Sequence, residues 1–436
     1  MGGYTNFGGA KPGLISWDSD AKSTQLSSAV YKNLCLLSAV FAFSVGLTIG
    51  ILIPLVYLKT PPRNDTVALE TVNASAVIRT IFLNNSYAYK NDSESDKYPT
   101  VSFVKSFVPL ERSDEDLVEN GIFWGKKIER ALPEGYKEQK HDVWQDYVKK
   151  AVAVKMENGC GRMQNRLVTF QDGLKGCVRY RQNTDQIQGE LFSFYLAKIL
   201  NLPNLAPSAV SIVDLGQPLW RNLRNEIASA QWNSNRPIVL TQFISNLNSA
   251  NIPAVFKPVE RHLNKLDVLN MTRNDEDQIG SFVELAQWSD LIVFDYLTAN
   301  LDRIVNNLYN YQWNTNIMDA PAHNLAKKAD SDLLVFLDNE SGLLHGYRLL
   351  KKYEIYHSIL LDNLCMFRKQ TVDVIKRLKT KGDVGVLLRD MFDRLNSDSV
   401  KDILPTIPDK SVKILNDRID RVYNQILKCE SVFANT

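Results

Sequence analysis

Two stretches decide how this 436-residue chain reads: Phe294-Asp-Tyr-Leu-Thr-Ala-Asn-Leu-Asp-Arg-Ile-Val-Asn-Asn307 and, further on, Val335-Phe-Leu-Asp-Asn-Glu-Ser-Gly342. The first sets Asp302 five residues before Asn307, at the end of an apolar helical pattern. The second places the acidic triplet Asp338-Asn339-Glu340 after an apolar, strand-like run and just ahead of Gly342. Phosphoryl transfer needs an Asp to orient the acceptor hydroxyl, an Asn nearby and a later Asp to hold a divalent ion against the phosphates. A D-x-x-x-x-N match alone is a chance event in many chains. The two stretches in this order point to phosphoryl transfer.

Working outward, Gln186–Asn201 has apolar residues at the i, i+3, i+4 spacing of an amphipathic helix and carries Glu190. In a kinase-type site a helix Glu pairs with a cation on a strand that touches the phosphates. Two cations compete for that role. Lys155 in Ala153-Val-Lys155 looks the part, but the turn Gly159-Cys-Gly161 follows it, whereas a kinase's glycine-rich loop precedes its lysine strand. Arg179 lies on the strand directly before the helix, fits the order and can bind phosphate bidentately. Lys155 is read as a decoy. Asp295 is read as structural, and His345 and His357 as isolated histidines.

The N-terminus indicates the compartment. Leu34–Leu58 is uncharged and, at about 1.5 Å per residue, long enough to cross a bilayer as a signal anchor. A cleaved signal peptide would have a shorter apolar core and a small-residue cleavage site. Sequons begin at Asn64, Asn73, Asn84 and Asn91, with another at Asn270; four crowded into one polar stretch suggest a glycosylated lumenal stem. Asn339-Glu-Ser341 also matches the pattern and is read as chance. Cys35 falls in the span, leaving Cys160, Cys177, Cys365 and Cys429, an even number for an oxidising lumen. Three pairings are possible; Cys160–Cys177, closing a short hairpin, and Cys365–Cys429, tying the C-terminal helices, are preferred.

A net charge of +2 with interspersed signs carries no signature of nucleic-acid binding. The organisation expected is a cytoplasmic tail (1–33), the anchor (34–58), the stem (59–118), a strand-rich lobe (119–245) and a helical lobe (246–436). Strands are expected at 166–170, 177–181 and 238–244, a linker at 246–251, and helices at 276–301, 353–380, 383–396 and 410–428.

The segments Phe294–Asn307, Phe336–Arg348 and Cys177–Leu200, with the pair Cys365/Cys429, closely resemble the Four-jointed family. These are Golgi type II kinases related to the secretory-pathway casein kinases. The resemblance covers roughly residues 119–430. It implies an α+β, atypical two-lobed protein-kinase-like fold behind a transmembrane helix, on the Golgi membrane with a single pass; release of a cleaved, secreted form is left open. It also implies transfer of the ATP γ-phosphate to Ser or Thr of cadherin repeats of the Fat and Dachsous type, with Mn²⁺ or Mg²⁺, in the control of planar cell polarity and growth. Carried over by residue, Asp302 is the catalytic Asp, Asp338 and Glu190 the metal carboxylates, and Arg179, Glu190 and Asn307 the nucleotide-site residues. Asp338-Asn339-Glu340 is the family's signature. Related casein-kinase-like chains carry Lys where this one has Arg179.

Two competitors share parts of this pattern. A Golgi glycosyltransferase would need a D-x-D motif at a strand end; Asp330-Ser-Asp332 and Asp275-Glu-Asp277 match, in polar stretches. A pseudokinase-like binding module would keep the fold without turnover.

Overall fold

The computed structural model describes residues 116–258, 262–274 and 278–434. The expected tail, anchor and nearly all of the stem, with the sequons at Asn64, Asn73, Asn84 and Asn91, lie outside them. Among the described residues no helix is long and apolar enough to cross a membrane.

A short ladder of β1 (Val118–Glu119) with β2 (Phe123–Trp124) leads into α1 (Lys126–Ala131) and α2 (Glu138–Lys150). Five strands follow, interrupted by two helices: β3 (Ala153–Asn158), β4 (Arg166–Phe170), β5 (Lys175–Tyr180), β6 (Ser208–Ile212) and β7 (Pro237–Gln242). They form an antiparallel sheet in the order β3-β4-β5-β7-β6. The two-residue period of a strand divides β5 between its faces. Gly176, Val178 and Tyr180 are buried, with Val178 and Tyr180 in a core that includes Trp144, Phe170, Trp220 and Trp232. Cys177 and Arg179 point the other way, towards α3 (Thr184–Ile199).

Helix α3 starts at Asn183, whose side chain accepts from the Asp185 amide, satisfying one of the first-turn donors. The amphipathic reading understates its burial. Ile187, Leu191, Phe192, Phe194, Tyr195 and Leu196 surround it with apolar groups, because it is packed between the sheet and the helical body.

After α4 (Arg224–Ser229), the chain makes a second antiparallel sheet, β8 (Leu247–Asn251), β9 (Pro321–Lys328) and β10 (Leu334–Phe336), ordered β10-β9-β8. Residues 247–251 of the expected linker 246–251 are therefore a strand. Its sequence is polar and mostly exposed, with only Ala250 buried, so periodicity alone gave no strand signal; pairing with β9 decides it.

The helical body comprises α5 (Lys265–Asn274), α6 (Ile279–Thr298), α7 (Ile304–Asn310), α8 (Leu344–Asp362), α9 (Lys369–Lys381), α10 (Val384–Leu395), α11 (Asp398–Ile403) and α12 (Asp409–Phe433). Helix α6 is buried along almost its whole length. The helix expected at 353–380 is two helices. Residues 363–368 contain neither Gly nor Pro, so no local breaker announced the interruption. They leave the helix for tertiary partners: the Cys365 amide donates to the Leu263 carbonyl (2.8 Å) and the Phe367 amide to the Ile122 carbonyl (2.8 Å). Cys365 is also bridged to Cys429 on α12, and Cys160 is bridged to Cys177. Two disulfides in one body mark a chain that folds in an oxidising compartment.

Candidate active site

Five separate segments bring charged groups to one place. From the sheet comes Arg179 on β5, and from α3 comes Glu190. Arg179 Nη1 donates to Asp338 Oδ1 (2.5 Å) and Glu340 Oε2 (2.9 Å), and its Nε lies 3.4 Å from Glu190 Oε2. This one buried guanidinium joins the strand, the helix and the loop after β10. Lys155 is elsewhere: its side chain is 62% exposed and pairs with Glu157 at 2.5 Å.

The loop after β10 is fixed from several sides. Asp338 adopts φ +51°, in the left-handed region that Asp tolerates better than most residues. That turn delivers the Asn339 amide to Glu190 Oε2 at 2.6 Å. Helix α3 can approach this loop closely because residue 189 is glycine. A Cβ there would lie 2.5 Å from the Glu340 carbonyl oxygen.

The segment after α6 contributes Asp302. Ala299 ends the helix in the left-handed conformation, and Asn300 Oδ1 then accepts from the Asp302 amide (3.0 Å) and Ser341 Oγ (3.0 Å). Arg303, fully buried, pairs with Asp295 and donates to the Leu337 carbonyl (3.0 Å) and Asn339 Oδ1 (2.6 Å). Asp295 thus holds a cation that fastens the Asp302 segment to the acidic triplet. Asn339 is 2% exposed with its side chain engaged there, so its sequon is inaccessible. Asn270 is exposed on α5. Asn307 is buried on α7 and donates to the Ile317 carbonyl (3.3 Å), while its Oδ1 has no hydrogen-bond partner.

Sequence reasoning missed three arginines. Arg162, in the turn between β3 and β4, donates to Glu340 Oε1 (2.5 Å) and lies 3.4 Å from Asp338 and 3.6 Å from Asp302. Arg181, two residues beyond Arg179, has Nε 2.6 Å from Glu340 Oε2. Arg303 adjoins Asp302. Alternation along β5 pointed to Arg181, but nothing local announced Arg162.

The electrostatics follow from this crowding. Burial pushes the Glu190 carboxyl up, against the pull of Arg179. Burial also raises Asp302, with Asp338 adding to the effect. Burial raises Asp295 to about 7 despite Arg303. For Arg179 burial alone would lower the pKa, but Glu190, Asp338 and Glu340 more than offset it and the value rises. Beside these residues is a cavity of about 300 Å³. Val178, Phe194, Leu205, Phe243 and Phe336 line its apolar part, and Arg179, Glu190 and Asp338 its polar end.

Among the described residues no group of three or more His, Cys, Asp or Glu is set to hold a metal ion by itself. The donors nevertheless fit a divalent ion that arrives with phosphates, because Mg²⁺-type sites use one or two carboxylates and take the remaining oxygens from substrate and water. Asp338 and Glu190 are two such carboxylates, both on Arg179. Glu190, Asp302, Asp338 and Glu340 set four carboxylates against Arg162, Arg179 and Arg181, an excess of one negative charge when all are ionised. Asp330 and Asp332 lie in the turn between β9 and β10, paired with Lys328 (3.2 Å) and Lys327 (3.6 Å) and 66% and 76% exposed. Asp275 and Asp277 lie outside the described residues.

The fold and site define a mixed α+β protein with an arginine–carboxylate centre where an antiparallel sheet meets a helical body. Residues 139–432 match the family described as Four-jointed box protein middle domain. The chain belongs to this family. It is 49% identical over 381 residues to the extracellular serine/threonine protein kinase four-jointed of Drosophila melanogaster, an alignment covering 77% of this chain and 65% of that protein. It is 39% identical to Four-jointed box protein 1 of Xiphophorus maculatus, with 72% of each covered. Among solved structures, the Golgi casein kinase with Mn/ADP bound aligns with TM-score 0.43 at 11% identity, over 67% of this chain and 77% of that one. The hydra Fam20 structure with sugar aligns with TM-score 0.45 at 13% identity, over 67% and 90%.

Proposed function

We propose that this chain is an ATP-dependent protein kinase of the secretory pathway that phosphorylates Ser or Thr hydroxyls on cadherin repeats of the Fat and Dachsous type. On this reading it is a Golgi type II membrane protein anchored by Leu34–Leu58, acts in planar cell polarity and growth, and works with Mn²⁺ or Mg²⁺. The observation that carries the reading is Arg179, held simultaneously by Glu190 of α3 and Asp338 of the loop after β10. The order of parts supports it: strand, turn, strand, the strand with Arg179, the helix with Glu190, then Asp302 and Asp338. The disulfides and the name of the Drosophila relative support the compartment and the reaction class.

In the mechanism, the apolar part of the cavity receives the base, and Arg179 binds the phosphates next to it. A divalent ion bound with the nucleotide would be held by Asp338 and Glu190 and would supply neutralisation of the phosphate charge. Asp302 orients the acceptor hydroxyl and takes its proton as the Oγ–P bond forms. The bond from the γ-phosphorus to the bridging oxygen breaks, and ADP leaves with that electron pair. The Asp295–Arg303 pair keeps Asp302 in register with Asp338.

The deciding experiment incubates the full-length chain with labelled ATP, labelled UDP-sugars and a cadherin-repeat acceptor. Phosphate on Ser or Thr is the expected result. Transfer of sugar would identify a glycosyltransferase, and nucleotide binding without transfer a binding module.

A further inference from the structure

We infer that Arg162 is a catalytic residue that contacts the transferred phosphoryl group, delivered by a turn that the Cys160–Cys177 disulfide clamps onto the strand of Arg179. This rests on the kinase reading and adds to it a residue and a positioning device.

The guanidinium of Arg162 reaches three carboxylates on the two segments around which transfer would occur, the one after α6 and the loop after β10. It lies 3.6 Å from Asp302, 3.4 Å from Asp338 and 2.5 Å from Glu340. Arg179 touches Asp338 and Glu340 but its pairs do not include Asp302. Arg162 therefore sits between the group that orients the acceptor and the group that holds the metal, which is where the γ-phosphoryl passes. Its side chain is 46% exposed, against 13% for Arg179, so it is the cation free to change partners. A divalent ion held by Asp338 would compete with the 3.4 Å contact there and leave Arg162 on Glu340, with the rest of its guanidinium open to a phosphoryl group.

The turn that carries it is built rather than loose. Cys160 and Gly161 adopt φ +62° and +86°, and no atom lies within 4 Å of a Cβ built on Gly161; the backbone conformation alone favours glycine there. Asn165 Nδ2 donates to the Cys160 carbonyl (2.7 Å), its amide donates to the Arg162 carbonyl (2.9 Å), and Arg181 Nη1 donates to its Oδ1 (2.8 Å). The disulfide ties Cys160 to Cys177, two residues before Arg179 on β5. The turn and the phosphate-binding strand therefore move as one piece. Both cysteines line the cavity, so the clamp borders the site itself.

In the step, the acceptor oxygen bonds to phosphorus, its proton passes to Asp302, and the leaving ADP oxygen takes the electron pair. Arg162 transfers no proton and forms no covalent bond. It neutralises charge on the equatorial oxygens during transfer, as a cationic finger does. Such a contribution is made mainly in the transition state, so it belongs in kcat rather than KM.

The test uses the full-length protein with Mn²⁺-ATP and a hydroxyl-bearing cadherin-repeat acceptor. Arg162→Ala should lower kcat about 10²-fold or more, as loss of a charge-stabilising donor does, with the KM for ATP changed only a few-fold and thermal stabilisation by Mn²⁺-ATP retained. Arg162→Lys should recover part of the rate. Cys160→Ser/Cys177→Ser should lower the same kcat, and adding Arg162→Ala to it should cost little more, because groups acting as a unit are non-additive. If kcat for Arg162→Ala stays within about three-fold of wild type, or rises, the assignment fails; fully additive losses remove the clamp. Wild-type protein that transfers no phosphate overturns the kinase reading, and this inference with it.

Discussion

Among the described residues, the arginine–carboxylate cluster around Arg368 and the one around Arg179 are built to different ends. In the helical body, Arg368 spans Glu129 of α1 (2.9 Å) and Asp290 of α6 (3.1 Å), and Thr371 Oγ1 caps Asp290 at 2.6 Å. Burial raises the Asp290 carboxyl, so by its charge alone this cluster looks as perturbed as any. At the candidate site, three arginines meet four carboxylates from three segments beside a part-apolar cavity. The first cluster is nearly closed upon itself and joins elements. Both carry one more carboxylate than arginine and both border a cavity; what sets the second apart is that three arginines share its carboxylates, Glu340 alone meeting Arg162, Arg179 and Arg181. A perturbed buried acid is a weak pointer to function; competition among several partners at the edge of a cavity is a stronger one.

Mutation can break this contrast. The largest effect is expected from Asp338→Ala, which removes one of the two carboxylates shared by Arg179 and Arg162, and the one proposed to hold the divalent ion. Turnover should fall to background and thermal stabilisation by Mn²⁺-ATP should disappear, whereas the protein without ligand should melt near the wild-type temperature. Asp302→Asn comes next. It preserves shape and removes the charge proposed to take the acceptor proton, so kcat should drop by about 10³-fold or more while ATP affinity, read by ligand-dependent melting, stays within a few-fold. Full activity in Asp302→Asn would remove it from the catalytic step.

The helical cluster should show the converse. Arg368→Ala leaves Asp290 buried without its cation, a change that typically destabilises by about 3–5 kcal/mol. Circular dichroism should show the melting temperature lowered, while the folded fraction turns over at close to the wild-type rate. A kcat loss comparable with that of Asp302→Asn, in folded protein, would erase the distinction between the clusters. The Cys365–Cys429 bridge belongs with this structural set. It closes a span of 64 residues, for which loop-closure entropy gives about 4 kcal/mol. Cys365→Ser/Cys429→Ser should therefore lower the melting temperature with little change in kcat.

The sequence showed the parts of the site that are encoded locally. Asp302, Asp338 and Glu190 sit in segments whose apolar periodicity marks them as the ends of helices and strands, and the alternation of β5 sets Arg179 on the face of Cys177. What stayed hidden is tertiary. Arg162 lies in a polar turn and acquires its meaning only when the β3–β4 hairpin folds over the acidic triplet. The strand Leu247–Asn251 exists because β9 pairs with it, and the break at 363–368 because Cys365 and Phe367 find partners far along the chain. Asn307 remains apart: its side chain binds Ile317, and Asn307→Ala is the direct measure of its role in nucleotide binding.

The smallest expected effect separates the two cations of the strand-rich part. Lys155 lies in the most kinase-like tripeptide of the sequence, and Arg179 in an unassuming one. Lys155 on β3 points to solvent and pairs only locally with Glu157. Arg179, two strands away in the sheet, is buried against three carboxylates, and these keep it protonated despite its desolvation. Lys155→Ala should therefore leave ATP affinity, kcat and melting temperature close to wild type, while Arg179→Ala should abolish Mn²⁺-ATP stabilisation. Arg179→Lys sharpens the comparison, because a single ammonium cannot reproduce the fork that reaches Asp338, Glu340 and Glu190 together. It should retain some binding and lose most of the turnover. Loss of ATP binding in folded Lys155→Ala would mean that β3, and not β5, carries the phosphate-binding cation, and the order of elements on which the site is built would have to be shifted by two strands.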